Sequence, residues 1–157
     1  MKILANDGIS ASGIEQLTQA GFEVITTNVA QEQLVQYINE NQIVALLVRS
    51  ATTARKDLID ACPSLKIIGR GGVGMDNIDV EYAREKGLSV INTPAASSLS
   101  VAELVFAHLF GCVRFLHDSN RNMPLEGESN FKGLKKAYAK GIELRGKTMG
   151  IIGFGRI

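Results

Sequence analysis

The 157 residues are 45% apolar and 21% charged, with a formal net charge of +1. That is enough chain for one comfortable domain, or for a small domain and part of another. The near-neutral balance, with no basic stripe interleaved with aromatics, gives no field for nucleic acid or an anionic membrane surface.

Lys2 to Ala5 is a short apolar run before Asn6-Asp7-Gly8, so a strand and a turn. Only three apolar residues precede Asn6, too few for a signal peptide, and no apolar run has the length of a membrane span. From Ser12, Ile14, Leu17 and Ala20 fall at helical spacing, and Gly21 stops the helix. Phe22 to Thr26 is β-branched and aromatic, a second strand. Gln31 to Asn39 places Leu34, Val35 and Ile38 on one helical face. Ile43 to Val48 is continuously apolar, as a strand buried on both faces of a parallel sheet is. Arg55 to Ala61 is a short helix ended near Pro63, and Leu65 to Ile68 is a fourth strand. Asp79 caps a helix running to Lys86, with Gly87 as its stop, and Leu88 to Ile91 is a fifth strand. Cys62 and Cys112 sit singly in apolar patterns, which reads as two reduced core cysteines of a cytoplasmic protein and not as a disulfide or metal site.

Alternating buried strands and amphipathic helices predict a doubly wound α/β domain with a parallel sheet. Such sheets bind ligands beyond the carboxyl ends of their strands. Three elements fall there: Asn6-Asp7 after the first strand, Arg49-Ser50 after the third, and Ile67 to Asp79 (IIGRGGVGMDNID) after the fourth. In the last, Gly69, Gly71, Gly72 and Gly74 let a ligand lie on backbone N–H groups, and Arg70 adds a planar fork of donors suited to carboxylate or phosphate. The reading is a cradle for a small anion. Glycines alone would equally suit a tight turn, and Arg49 would equally suit a rim salt bridge.

Pro94 to Ser98 is an extended small-residue stretch and a candidate hinge. Ser100 and Glu103 form a capping-box pattern at the start of a helix of about 27 Å running to Asp118, apolar around more than half its circumference and therefore expected to be buried. Asn120 to Gly141 is polar and Lys-rich with Pro124, Gly127 and Gly133, so a loop with at most a short helix is expected. Lys147 to Ile157 reads as a strand running into Gly153-Phe154-Gly155. A dinucleotide fingerprint needs a third glycine, a following helix and an acidic residue about 20 positions on. None of these follows here.

GRGGVGMDNID, NTPAASSLSVAEL and ELRGKTMGIIGFGRI, in that order, resemble the D-isomer-specific 2-hydroxyacid dehydrogenases, over essentially the whole chain. The resemblance implies a flavodoxin-like substrate domain, residues 1 to about 96, and the truncated start of a Rossmann cofactor domain from 97 to 157. It implies NAD as cofactor, a homodimer formed through the cofactor domain, and a phosphorylated 2-hydroxy acid as substrate. The closest branch oxidises C2 of 3-phosphoglycerate, the opening step of serine biosynthesis. Glyoxylate or hydroxypyruvate reduction is the alternative.

Carried over by residue, Arg49 and Ser50 match the motif near the substrate phosphate. Arg70 and the backbone of Gly72, Val73 and Gly74 match the loop at the substrate carboxylate and nicotinamide. Gly153, Gly155, Arg156 and Ile157 match the pyrophosphate turn. Where the family has a glycine and an asparagine after Asn-Thr-Pro, this chain has Ala96 and Ser97. The family's catalytic Arg, acid and His lie downstream, so no catalytic residue is expected among these 157, and the fragment is expected to be inactive. The His supplies a base of near-neutral pKa. Neither His108, expected to be packed in its helix, nor His117, expected near that helix's end, matches it.

Two other classes are weighed. A phosphoacceptor receiver needs an Asp after the third strand and a Lys after the fifth, where this chain has Arg49 and Asn92. An NAD-sensing corepressor that binds proteins remains open.

Overall fold

The structure is a computed structural model and describes all 157 residues. The chain divides into two compact units, Met1–Ala96 and Ser97–Ile157.

In the first unit, strands β1 (Lys2–Ala5), β2 (Glu23–Ile25), β3 (Ile43–Val48), β4 (Ile67–Arg70) and β5 (Ser89–Asn92) alternate with helices α1 (Ala11–Gln19), α2 (Gln31–Asn41), α3 (Lys56–Ala61) and α4 (Val80–Glu85). The strands form one all-parallel sheet in the order β2-β1-β3-β4-β5. This is the flavodoxin-like winding, whose direction of crossover reverses between β1 and β3.

Register explains the core. Leu4, Leu46, Ile68 and Val90 are mutual neighbours across β1, β3, β4 and β5, and all four are buried. Leu34 and Ile38 of α2, Leu58 and Ile59 of α3, and Ala83 of α4 pack into the same cluster. The next row, Ala5, Leu47, Gly69 and Ile91, points to the opposite face because successive strand side chains alternate. There a Cβ on Gly69 would stand 2.8 Å from Leu47 Cδ2, so the glycine is fixed by close packing. Helix α1 has no buried residue.

Local chemistry moves several expected boundaries. Helix α1 starts at Ala11, one residue ahead of the pattern read from Ser12, because Ser10 caps it, its hydroxyl accepting from Gly13 N–H at 3.2 Å. Asp79 precedes α4 but does not cap it with its side chain. Its carboxylate instead accepts from the first N–H of α3, Lys56, at 3.0 Å and from the Arg55 guanidinium at 2.9 Å. The Arg55 hydrogen bond holds the Asp79 carboxyl below its usual value.

The second unit departs further from expectation. Residues 94–97 form a turn, not an extended hinge. Helix α5 (Ser98–Val113) begins ahead of the Ser100–Glu103 box, has no side-chain cap and contains no buried residue. Its apolar circumference is therefore exposed in this chain, with Leu104, Val105, Phe106 and Phe110 each about half accessible. Cys112 and His108 are exposed with it, which corrects their reading as core residues. Cys62, by contrast, is buried, and burial pushes its thiol up to about 11.

The expected loop at 120–141 is largely helix α6 (Leu116–Tyr138), which runs through Pro124 and kinks at Asn130. The Asn130 side chain folds over Gly133, into the space a Cβ would take. His117 lies exposed in the first turn of α6, not at the end of the preceding helix. No single helix is long and apolar enough to cross a membrane. Helices α5 and α6 reach that length only as a pair bent by 54°.

Residues 147–157 form no strand and are exposed. The strand expected before Gly153 has no neighbour to complete its ladder, and an unpaired strand is not stable by itself.

Leu46 is fully buried at the centre of the sheet. Leu46→Ala should cost about 2–5 kcal/mol, read as a lower denaturant midpoint at constant slope.

Candidate functional site

A cleft of about 710 Å³ opens at the carboxyl edge of the sheet in the first unit. Leu47, Gly69 and Ile91 give it an apolar floor, while Asp7, Arg49, Arg70, Asn92 and Thr93 give it a polar rim. All of these lie at or just beyond the ends of β1, β3, β4 and β5, and the crossover reversal between β1 and β3 lies within it.

Asp7 organises the rim. Its carboxylate accepts from Arg49 N–H at 2.6 Å, from Thr52 N–H at 3.1 Å and from the Thr52 hydroxyl at 2.6 Å. Burial pushes this carboxyl upward. The hydrogen bonds from the Thr52 hydroxyl and from the N–H groups of Arg49, Thr52 and Ala51 outweigh that and hold it below its usual value. Asn77, buried, donates its amide to the carbonyls of the same two residues, Arg49 at 2.8 Å and Thr52 at 2.6 Å. Asn6, also buried, donates to Thr52 Oγ1 at 2.8 Å and pairs with both backbone groups of Val29. The loop from Arg49 to Thr52 is therefore gripped from both sides. The Arg49 guanidinium takes no part in any salt bridge and its residue is exposed.

The glycine loop after β4 is held equally firmly. Gly72 O accepts from Thr93 N–H at 3.1 Å, Val73 O from Asn92 Nδ2 at 2.7 Å, and Gly74 O from an Arg70 guanidinium nitrogen at 2.5 Å. In a trans peptide the C=O of one residue and the N–H of the next point in opposite directions. Drawing three successive carbonyls onto protein donors turns the N–H groups of Val73, Gly74 and Met75 away from those donors. None of the three donates within the chain. Successive outward N–H groups of this kind attract anions.

The cradle differs from the sequence reading in its membership. Gly71 N–H goes to Val48 O at 2.9 Å and Gly72 N–H to Arg70 O at 3.0 Å, so the free donors begin at Val73 and extend to Met75. Arg70 is mostly enclosed and braces its own loop, pairing with Asp76 at 2.9 Å. That hydrogen bond holds the Asp76 carboxyl below its usual range. The Arg70 Nε is buried without a partner.

A family model described as D-isomer specific 2-hydroxyacid dehydrogenase, catalytic domain, matches residues 3–145. The chain belongs to that family. It is 41% identical over 157 residues to a D-3-phosphoglycerate dehydrogenase of Methanocaldococcus jannaschii, covering 100% of this chain and 28% of that protein. It is 40% identical to a hydroxypyruvate reductase of Thermotoga maritima, covering 99% of this chain and 49% of that one. Among solved structures, an NAD-dependent formate dehydrogenase from Staphylococcus aureus in complex with NAD superposes with a TM-score of 0.73 at 25% identity, over 99% of this chain and 50% of that chain. The chain thus spans half or less of the length of these relatives.

Of the residues that family resemblance picks out, Arg49, Arg70 and the Gly72–Gly74 loop gather at one edge of the sheet. Ser50 is exposed, and neither it nor Gly72, Val73 and Gly74 line the cleft, which takes Gly69, Arg70 and Gly71 from that loop. Gly153, Gly155, Arg156 and Ile157 belong to the exposed terminal segment of the second unit, with neither a strand before them nor a helix after. The polar set that the sequence left unassigned is Thr52, Asn77, Asn92 and Thr93. Its legible signal was position: each follows a buried strand end or sits in the glycine loop.

Asp7→Asn keeps the shape but loses the charged acceptor, and should cost about 1–3 kcal/mol at pH 7. Folding lowers the Asp7 pKa, so its contribution is complete above the ordinary carboxylate range and is lost as pH falls through the depressed folded value. Denaturant melts of the two proteins should therefore begin to converge as pH falls below the ordinary carboxylate range of about 4, and continue to do so at more acid pH. Parallel curves would contradict this.

Proposed function

We propose that this chain forms the substrate-binding wall of an NAD-dependent 2-hydroxyacid dehydrogenase that oxidises C2 of 3-phosphoglycerate. The observation that carries this is the pairing of two anion-binding elements at one sheet edge. The free N–H groups of Val73, Gly74 and Met75 suit a carboxylate. The Arg49 guanidinium, free of salt bridges, suits a phosphate. A 2-hydroxy acid with a phosphate at its far end presents both.

NAD is the cofactor in this reading, and Gly153, Gly155, Arg156 and Ile157 would meet its pyrophosphate through backbone N–H groups. When bound, NAD supplies the hydride acceptor. The chain's own residues bind and orient the acid. The apolar floor of Leu47, Gly69 and Ile91 keeps water from the bound carbon skeleton. Exposed Leu104, Phe106 and Phe110 on α5 fit burial in a homodimer.

The cleft has no proton acceptor tuned to neutrality. Its rim holds two arginines and one carboxylate, and that carboxylate is kept ionised by its hydrogen bonds. The 157 residues by themselves should bind the acid without turning it over. The check is NADH absorbance with 3-phosphoglycerate and NAD: a flat trace is expected from the purified chain, and turnover would contradict this account.

Reduction of hydroxypyruvate is the second reading, favoured by the 40% identity to the Thermotoga maritima enzyme. Arg49 separates the two. In the full-length gene product, Arg49→Ala should raise KM for 3-phosphoglycerate by about 10–100-fold, the value of one charge-assisted contact, and leave KM for hydroxypyruvate nearly unchanged. Equal effects on both would remove the phosphate role.

A further inference from the structure

Arg49 has both of its backbone polar groups held by side chains from distant parts of the chain. Its N–H donates to Asp7, 42 residues away, and its C=O accepts from Asn77, 28 residues away. The same two side chains take the N–H and the C=O of Thr52. Two clamps on one four-residue loop are more than its packing requires, because Arg49 itself is exposed.

Asn77 also belongs to the segment that carries the anion cradle. It stands two residues after Met75 and directly after Asp76, the ion-pair partner of Arg70. Met75 O accepts from Ile78 N–H at 2.9 Å, and Asn77 O accepts from Ala54 N–H at 2.9 Å. The N–H cradle and the Arg49 loop are thereby tied to each other by short hydrogen bonds through a single residue. A ligand with an anionic group at each end needs its two contact points at a fixed spacing, and a shift of an ångström at one of them is costly.

We propose that Asp7 and Asn77 are positioning residues for Arg49, fixing the spacing between its guanidinium and the Val73–Met75 N–H groups. They set the preference for a phosphorylated over an unphosphorylated 2-hydroxy acid without themselves touching the phosphate. This rests on the reading of Arg49 as the phosphate partner.

The test is steady-state kinetics of the full-length gene product on 3-phosphoglycerate and on glycerate, its unphosphorylated counterpart. The variants are Arg49→Ala, Asp7→Asn, Asn77→Ala, and each of the last two combined with Arg49→Ala. Asp7→Asn and Asn77→Ala should each raise KM for 3-phosphoglycerate about tenfold, and KM for glycerate by several-fold less. Added to Arg49→Ala, neither should raise KM further, because interacting residues are not additive. A purely structural role would impair both acids alike, or would add to Arg49→Ala in full. Either result overturns the proposal, as does failure of both single variants to fold. The Arg49→Ala arm stands apart: if it treats the two acids alike, the phosphate reading itself has failed.

Discussion

The Asp7 carboxylate is the constraint on which the cleft depends. It follows the buried strand β1, where the sheet ends and backbone groups lose their ladder partners. By accepting from two N–H groups and a hydroxyl of the loop after β3, it satisfies donors that would otherwise face a half-buried edge. A charged acceptor does this better than a neutral one, and its lowered pKa is the same interaction seen from the proton's side. Asn77 completes the arrangement on the carbonyl side, so the loop is determined by donors and acceptors at once. What remains free is the Arg49 side chain.

The glycine loop reaches a similar result by another route. Its carbonyls are drawn onto Thr93, Asn92 and Arg70, and planarity of the peptide then turns the following N–H groups the other way. Glycine serves close approach here as well: a Cβ at Gly69 would press on Leu47 Cδ2 at 2.8 Å. Arg70, which on sequence alone looked like the ligand's own partner, braces this loop through its Nη1. Charge near a cleft can thus act by shaping backbone as well as by contact.

How much of this the sequence shows depends on how local the cause is. β3 is legible to the residue because a continuous apolar run buried on both faces has few alternatives. The parallel, doubly wound class of the sheet follows from the alternation of elements, whereas its flavodoxin-like winding comes with the family resemblance. The boundary of α1 is not legible from apolar spacing because a hydroxyl at Ser10 decides it. Helix α6 is hidden by Pro124, Gly127 and Gly133, each a sound breaker signal, yet it runs through all three and departs from helical geometry at Asn130. Residues 147–152 have strand composition but no partner strand, and a ladder needs two. The role of Asp7 is the least legible, since its partners lie 42 and 45 residues away and nothing in its neighbourhood announces them.

The proposed ligand, a small acid with an anionic group at each end, would lie at the carboxyl edge of this sheet between the Arg49 loop and the outward N–H groups of the glycine loop. Titrating the ¹⁵N-labelled chain with 3-phosphoglycerate and following amide resonances tests it most directly. The account predicts saturable shifts concentrated at Val73, Gly74 and Met75 and in the loop from Arg49 to Thr52. Shifts confined to other parts of the chain, with these amides unmoved at saturation, would contradict it.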